Sequence, residues 1–168
     1  MNASFARTLP KKGNVAFLSQ SGALGTAALD MAAGIGIGFS KFVSLGNKAS
    51  LDEAMLLEYF ACDRKTKVIA VYAEDLRHPE IIRQTARKLA KAKHPKPIIV
   101  LKSGRTSAGA SALSSHTGSL AGNDASYEAL FEEAGIVRAE TAEELFLLVR
   151  AFSLAPLPPG NNVAILTN

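Results

Sequence analysis

Tryptophan is absent from this sequence, cysteine occurs once, and aromatic residues make up only 7% of it. The single cysteine, Cys62, excludes an intramolecular disulfide, so the fold has to be held by a packed core. No low-complexity tract argues for disorder, no apolar run is long enough to span a bilayer, and no segment reads as a signal peptide. A cytoplasmic location with no membrane partner is therefore expected, and the sequon Asn2-Ala3-Ser4 carries no weight. Neither sign of charge dominates: 19 Lys and Arg stand against 15 Asp and Glu, for a net charge of +4. The densest basic run, Arg83, Arg87, Lys88, Lys91, Lys93 and Lys96, is expected on one helix whose apolar stripe is Ile82, Ala86, Leu89 and Ala90. Such a run reads as a solvated face, and without interleaved aromatics to stack on bases it excludes nucleic acid as the expected partner. Cys62 falls near a predicted helix end and reads as a small half-buried apolar residue with no catalytic role.

What the chain does have is apolar content, 48% over 168 residues, enough for one well-buried domain. Short apolar runs alternate with helical patterns, the signature of a parallel sheet covered on both faces. Strands are expected at 15–18, 39–44, 68–72 and 97–101, with a short one at 136–139. Helices are expected from Gly22 to about Ala33, from Ser50 (a capping box, Ser50-Leu51-Asp52-Glu53), from Pro79 to Ala92, and from about Gly122 to Ala134. A last one follows the Thr141-Ala142-Glu143-Glu144 capping box and runs to about Ala155. Five strands in this alternation predict a flavodoxin-like, doubly wound α/β fold. The domain is expected to span 13–155. Residues 1–12 read as a lead-in from an upstream domain, and 156–168 as a linker, Pro156-Leu157-Pro158-Pro159-Gly160, followed by Val163-Ala164-Ile165-Leu166 as the first strand of a next domain.

In such sheets ligands bind at the carboxyl ends of the strands, which directs attention to the loops 19–22, 45–50, 73–78 and 102–122. Ser19-Gln20-Ser21-Gly22 opens a helix, where free N–H groups, the positive dipole end and two hydroxyls make an anion site; spacing alone fits an ordinary serine N-cap equally well. Gly34-Ile35-Gly36-Ile37-Gly38 lies at the wrong end of its βα unit for a phosphate and reads as a helix stop and tight turn. Glu74 follows the third strand, where a carboxylate could accept a hydrogen bond from an imidazole and stabilise its cation; Asp75 competes with it, and a solvated acidic turn is the plainer alternative. Lys102-Ser103-Gly104-Arg105 leads into a long stretch of small residues, either as a mobile charged segment or as a surface loop with two incidental bases. That stretch ends at His116, set among serines, Thr117 and Gly118. An imidazole surrounded by hydroxyls, glycines and backbone N–H groups is a candidate phospho-acceptor, and Thr117 and Gly118 join Ser19, Gln20, Ser21 and Gly22 as candidate phosphate-binding residues. His78 and His94 read as surface residues. No pair of ligating residues has metal-site spacing, and no GxSxG elbow or Walker loop is present.

Taken together, Ser19-Gln20-Ser21-Gly22-Ala23-Leu24-Gly25, Ser44-Leu45-Gly46-Asn47, Lys102-Ser103-Gly104-Arg105 and Ser115-His116-Thr117-Gly118-Ser119-Leu120-Ala121-Gly122 resemble the ADP-forming (NDP-forming) acyl-CoA synthetases. The similarity is to their succinyl-CoA ligase-like flavodoxin domain and spans roughly Asn2 to Ala155. It implies that His116 carries a phosphoryl group between an acyl phosphate and a nucleoside diphosphate, that Glu74 holds the histidine, and that the helix start after Ser19–Gly22 cradles the phosphate. Asn47 and Asp52 lie in a matching segment without an assigned step. The implied net reaction converts acyl-CoA, ADP and phosphate into acid, CoA and ATP, reversibly. CoA and ATP or ADP, the latter with magnesium, are then substrates bound mostly by CoA-binding and ATP-grasp partner domains, together with a small acyl substrate; oligomers are compatible with this. No covalently bound cofactor is expected, and this stretch alone is expected to show no turnover. Two other classes compete: a regulatory acyl-CoA-sensing domain fused to a protein acetyltransferase, against which the presence of His116 counts, and a flavodoxin-like interaction domain without chemistry.

Overall fold

Val15-Ala16-Phe17-Leu18 has no polar face, and all four side chains are fully buried, as befits a central parallel strand covered on both sides. In this computed structural model, which describes residues 10–46, 48, 50–105, 123–160 and 162–167, they form the middle of β1 (Lys12–Ser19). The chain continues through α1 (Gly22–Ile35), β2 (Phe39–Ser44), α2 (Glu53–Cys62), β3 (Val68–Ala73), α3 (Pro79–Ala90) and β4 (Ile98–Lys102). It resumes with α4 (Asp124–Ala134), β5 (Val137–Ala139) and α5 (Ala142–Leu154). All strands pair in parallel in the order β2-β1-β3-β4-β5, the flavodoxin-like order, with the direction of winding reversing between β1 and β3.

Alternate side chains of the strands feed two cores. Ala16, Leu18, Ile69, Val71 and Val100 pack against Leu57 and Phe60 of α2, Ile82 and Leu89 of α3 and Phe131 of α4. Val15, Phe17, Val68 and Ile99 pack against Leu29 of α1 and Leu145, Phe146 and Val149 of α5. Phe17 stacks on Phe42 at 5.3 Å and on Phe146 at 5.9 Å between ring centroids, pinning β1, β2 and α5 together. Gly36 stops α1 with φ of 76°, as the glycine-rich turn predicts. Where β1 and β2 begin, a Cβ on Gly13 would lie 2.3 Å from the Gly38 carbonyl oxygen, so only glycine allows the two backbones to approach.

Several boundaries differ from expectation. β1 starts at Lys12, three residues early. α2 starts at Glu53, not Ser50: the Asp52 Oδ1 accepts the Met55 N–H at 2.9 Å and caps the helix there. α4 begins at Asp124, capped by Asn123, rather than at Gly122. α3 ends at Ala90, which takes Lys93 and Lys96 off the helix. Its basic run is also not a plain solvated face, because Arg83 and Arg87 both reach Glu133 of α4 and the Lys96 Nζ donates to the carbonyls of Phe60, Ala61 and Asp63. Cys62 is exposed rather than half-buried, since it closes α2 on the solvent side. Val163, Ile165 and Leu166, expected to open a strand of a next domain, are exposed and pair with no strand of this sheet. No helix among the described residues is long and apolar enough to cross a membrane.

Candidate functional site

The parallel register brings Ser19, Ser44, Ala73, Lys102 and Ala139 to one edge, with Ser19 opposite both Ser44 and Tyr72 and Ala73 opposite Lys102. The tip of α1 rises from this edge. Ser21 is its N-cap, the Ser21 Oγ accepting the Leu24 N–H at 3.3 Å, while the buried Ser19 Oγ donates to the Ser21 carbonyl at 2.7 Å and accepts the Ser21 N–H at 3.2 Å. These bonds fix the turn and leave the N–H groups of Gly22 and Ala23 without an intrahelical acceptor. The first turn of α1 holds no acidic residue to neutralise its positive end, and nothing would crowd a Cβ at Gly22.

Gln20, next in line, turns inward and is buried. Its Oε1 accepts the backbone N–H groups of Glu74 at 2.7 Å and Asp75 at 3.2 Å, and its Nε2 donates to the Asp75 carbonyl at 2.7 Å and to the Glu53 Oε1. Its own N–H donates to the Tyr72 carbonyl. Gln20, expected among the phosphate-binding residues, thus has no donor left for an anion. It is a clamp on the turn that carries Glu74.

Lys48 completes this cluster from the β2–α2 loop. It holds a left-handed backbone, φ 55°, and its Nζ reaches the Asp75 Oδ1 at 2.6 Å, the Asp75 carbonyl at 3.1 Å and the Glu53 Oε1 at 2.7 Å. Arg77 donates to the Lys48 carbonyl. Glu53 is fully buried, and its Oε2 has no hydrogen-bond partner among the described residues. The two acids of the β3 turn are thereby separated. Asp75 is neutralised by Lys48, whereas the half-buried Glu74 carboxylate makes no hydrogen bond or ion pair among the described residues.

Lys102 is not the exposed cation the sequence leads one to expect. It is buried, with its Nζ 4.7 Å from the centre of the Tyr127 ring and donating to the Ser103 carbonyl. Burial pushes its pKa down, against the raising influence of Asp124, Asp75 and Glu74. Burial likewise raises the Tyr127 phenol, opposed by a hydrogen bond from the Leu76 backbone. Arg105 is held by Glu140 and, at 3.8 Å, by Asp124. With Tyr72, Lys102, Ser103 and Thr141 these residues line a pocket at the edge. His116, Thr117, Gly118 and Asn47 lie outside the described residues. His78 is exposed at the start of α3, its Nε2 3.5 Å from the Asp52 Oδ2, and His94 is exposed in the turn after α3. Among the described residues no three His, Cys, Asp or Glu side chains gather as a metal site.

Sequence reasoning missed Lys48 and Glu53. For Glu53 a signal existed: it stands at the i position of the buried stripe Glu53, Leu56, Leu57, Phe60, on the face that enters the core. Lys48 gave none, since its partners lie 5 and 27 residues away in sequence.

The succinyl-CoA ligase like flavodoxin domain family matches residues 12–152. The ADP-forming acetate–CoA ligase of Methanocaldococcus jannaschii is 52% identical over all 168 residues, which cover 23% of that protein. The alpha subunit of an ADP-forming acetate–CoA ligase II of Pyrococcus furiosus is 48% identical over the same span, 36% of its length. The chain therefore spans about a quarter to a third of these relatives. Among solved structures, a dinucleotide-forming acetyl-coenzyme A synthetase 1 from Ca. Korarchaeum cryptofilum, in complex with phosphate and ADP, superposes with a TM-score of 0.87 at 43% identity. It covers 95% of this chain and 34% of that one. A Methanosaeta concilii ATP citrate lyase, 18% identical with a TM-score of 0.69, shares the fold. With its parallel sheet in the order β2-β1-β3-β4-β5 and its match over 12–152, this chain belongs to the succinyl-CoA ligase-like flavodoxin domain family.

Proposed function

We propose that this domain is the phosphoryl-carrying part of an ADP-forming acyl-CoA synthetase, with His116 as the acceptor. The observation that carries the reading is the contrast at the β3 turn: Glu74 is held by its backbone N–H while its carboxylate makes no hydrogen bond or ion pair among the described residues, at the sheet edge from which the α1 tip also rises. A free carboxylate is what an imidazole needs to fix its tautomer and stabilise its cation. Unneutralised N–H groups at a helix start suit a phosphoryl group whose charge is spread over three oxygens. The named relatives act as ADP-forming acetate–CoA ligases, which agrees with this chemistry.

In the direction of nucleotide synthesis, phosphate displaces CoA from acyl-CoA to give an acyl phosphate. A neutral His116 nitrogen then attacks the phosphorus, the bond to the acyl oxygen breaks, and the acid leaves as a carboxylate. The terminal oxygen of ADP next attacks the same phosphorus, the phosphorus–nitrogen bond breaks, and ATP forms with the imidazole restored. In this scheme Glu74 holds the imidazole, Ser19 and Ser21 shape the α1 tip, and Gly22, Thr117 and Gly118 contact the phosphoryl oxygens. CoA, and the nucleotide with its magnesium, are held mainly by other parts of the synthetase. The chain alone is expected to show no turnover.

The test reconstitutes the chain with the CoA-binding and nucleotide-binding parts and labels it from γ-labelled ATP. An acid-labile, base-stable label that His116→Ala abolishes is expected. A label that persists in this variant overturns the reading.

A further inference from the structure

The Gln20, Lys48, Glu53 and Asp75 cluster does something the proposed chemistry leaves unexplained. Three of the four are buried polar side chains, brought together from the β1–α1 loop, the β2–α2 loop and the first turn of α2. Burying a lysine and a glutamate forfeits their solvation, and a buried pair is a poor source of net stability. Here one oxygen of the pair, Glu53 Oε2, is even left without a hydrogen-bond partner among the described residues. The bonds instead converge on one short piece of backbone. Gln20 accepts from both N–H groups of the Glu74–Asp75 turn, and Gln20 and Lys48 both donate to its Asp75 carbonyl. Glu53 accepts from both clamps through its Oε1 and so sets where each can reach.

The geometry points to Gln20 and Lys48, anchored on Glu53, as positioning residues that fix the Glu74 turn and, by neutralising Asp75, leave Glu74 as the free carboxylate facing the transferred group. This rests on the reading of Glu74 and His116 given above. Gln20 thereby acts through Glu74 rather than on the phosphoryl group.

The hydrogen bond between positions 20 and 53 can be reversed without changing net charge. Gln20→Glu alone sets two carboxylates against each other, and Glu53→Gln alone removes the counter-charge of Lys48. Combined, they let the amide at position 53 donate to a carboxylate at position 20, which still accepts from both N–H groups of the turn, although the donor from position 20 to the Asp75 carbonyl is lost and only that from Lys48 remains.

Two measurements follow. In the reconstituted synthetase, each single variant is expected to slow label formation at His116 at least about tenfold, with the KM for ATP within about twofold of the parent. The double variant is expected to recover part of that loss, labelling at least about threefold faster than either single variant. In the chain itself, amide hydrogen exchange at Glu74 and Asp75 should speed up at least about tenfold in Gln20→Met and in each single variant, and recover in the double. If a single variant fails to fold alone, folding restored by the second substitution supports the coupling. Unchanged exchange at Glu74 and Asp75 in Gln20→Met, or a double variant no better than the singles in either measurement, overturns the inference. An unlabelled parent enzyme counts against the phosphohistidine reading, while the exchange measurement still decides the positioning role.

Discussion

Helix α2 carries a lysine–carboxylate cluster at each end, and the two are built to opposite rules. At its N-terminal end Lys48 and Glu53 are 4% and 0% exposed, draw in Gln20 and Asp75, and leave a carboxylate oxygen without a hydrogen-bond partner among the described residues. At its C-terminal end Lys41 and Asp63 are 30% and 14% exposed. There Asp63 accepts from Lys41 at 2.9 Å, from the Thr66 hydroxyl at 2.8 Å and from the Lys65 N–H at 3.2 Å, and the Lys96 ammonium closes the last carbonyls of the helix. The second arrangement serves stability: a cation at the negative end of the dipole, every acceptor used, and water nearby to limit the cost of charge. The first spends solvation energy on fixing the backbone beneath Glu74. Charged clusters on one helix can thus serve different ends, and burial with an unused oxygen distinguishes the positioning one.

The largest effect expected from breaking this contrast is at Glu53. Glu53→Leu strands the Lys48 ammonium in an apolar layer with Asp75 as its remaining partner and should destabilise the chain by about 3 kcal/mol in urea unfolding. A loss under about 1 kcal/mol would show that the pair is no more demanding than a surface one. Lys96→Met is the counterpart at the other end. It removes the donor to three carbonyls but leaves them able to reach water, so a loss of about 1–2 kcal/mol is expected, and a loss equal to that of Glu53→Leu would erase the distinction. Asp52→Ala, which removes the α2 cap and with it the 3.5 Å approach of His78, should cost about 1 kcal/mol, read as a lower midpoint at unchanged slope.

The smallest effect is a pH dependence. The hydrogen bond from Lys41, followed by that from Thr66, holds the Asp63 carboxyl at about 2, below its ordinary 3.8. A carboxyl depressed in the folded state contributes stability that is present above the unfolded value and lost as pH falls through the folded one. Unfolding midpoints should therefore decline between about pH 4 and pH 2, and Asp63→Asn should flatten that decline. An equally steep decline in the variant would place the acid sensitivity elsewhere.

Much of this was legible in the sequence for a plain reason. Apolar runs such as Val15–Leu18 and Ile98–Leu101 can only be buried strands, and Thr141 followed by Glu144 is a local capping pattern that needs no tertiary context; the Thr141 Oγ1 does accept the Glu144 N–H at 3.1 Å. Local chemistry misled at α2, where Ser50-Leu51-Asp52-Glu53 reads as a capping box opened by Ser50 and Asp52 takes the cap instead. Gln20 misled for another reason. A polar residue in a glycine-rich βα loop reads as a ligand contact, and nothing within ten residues of it reveals that its amide is consumed by positions 53, 74 and 75.

By itself, then, the sequence determined the parallel α/β architecture and the tight turn at Gly36, because periodicity and turn residues are set by near neighbours. Only the tertiary structure decided which of two adjacent acids Lys48 neutralises. That choice rests on an ammonium 27 residues before Asp75 and an amide 54 residues before Glu74, brought within hydrogen-bond reach by the pairing of β1 with β3.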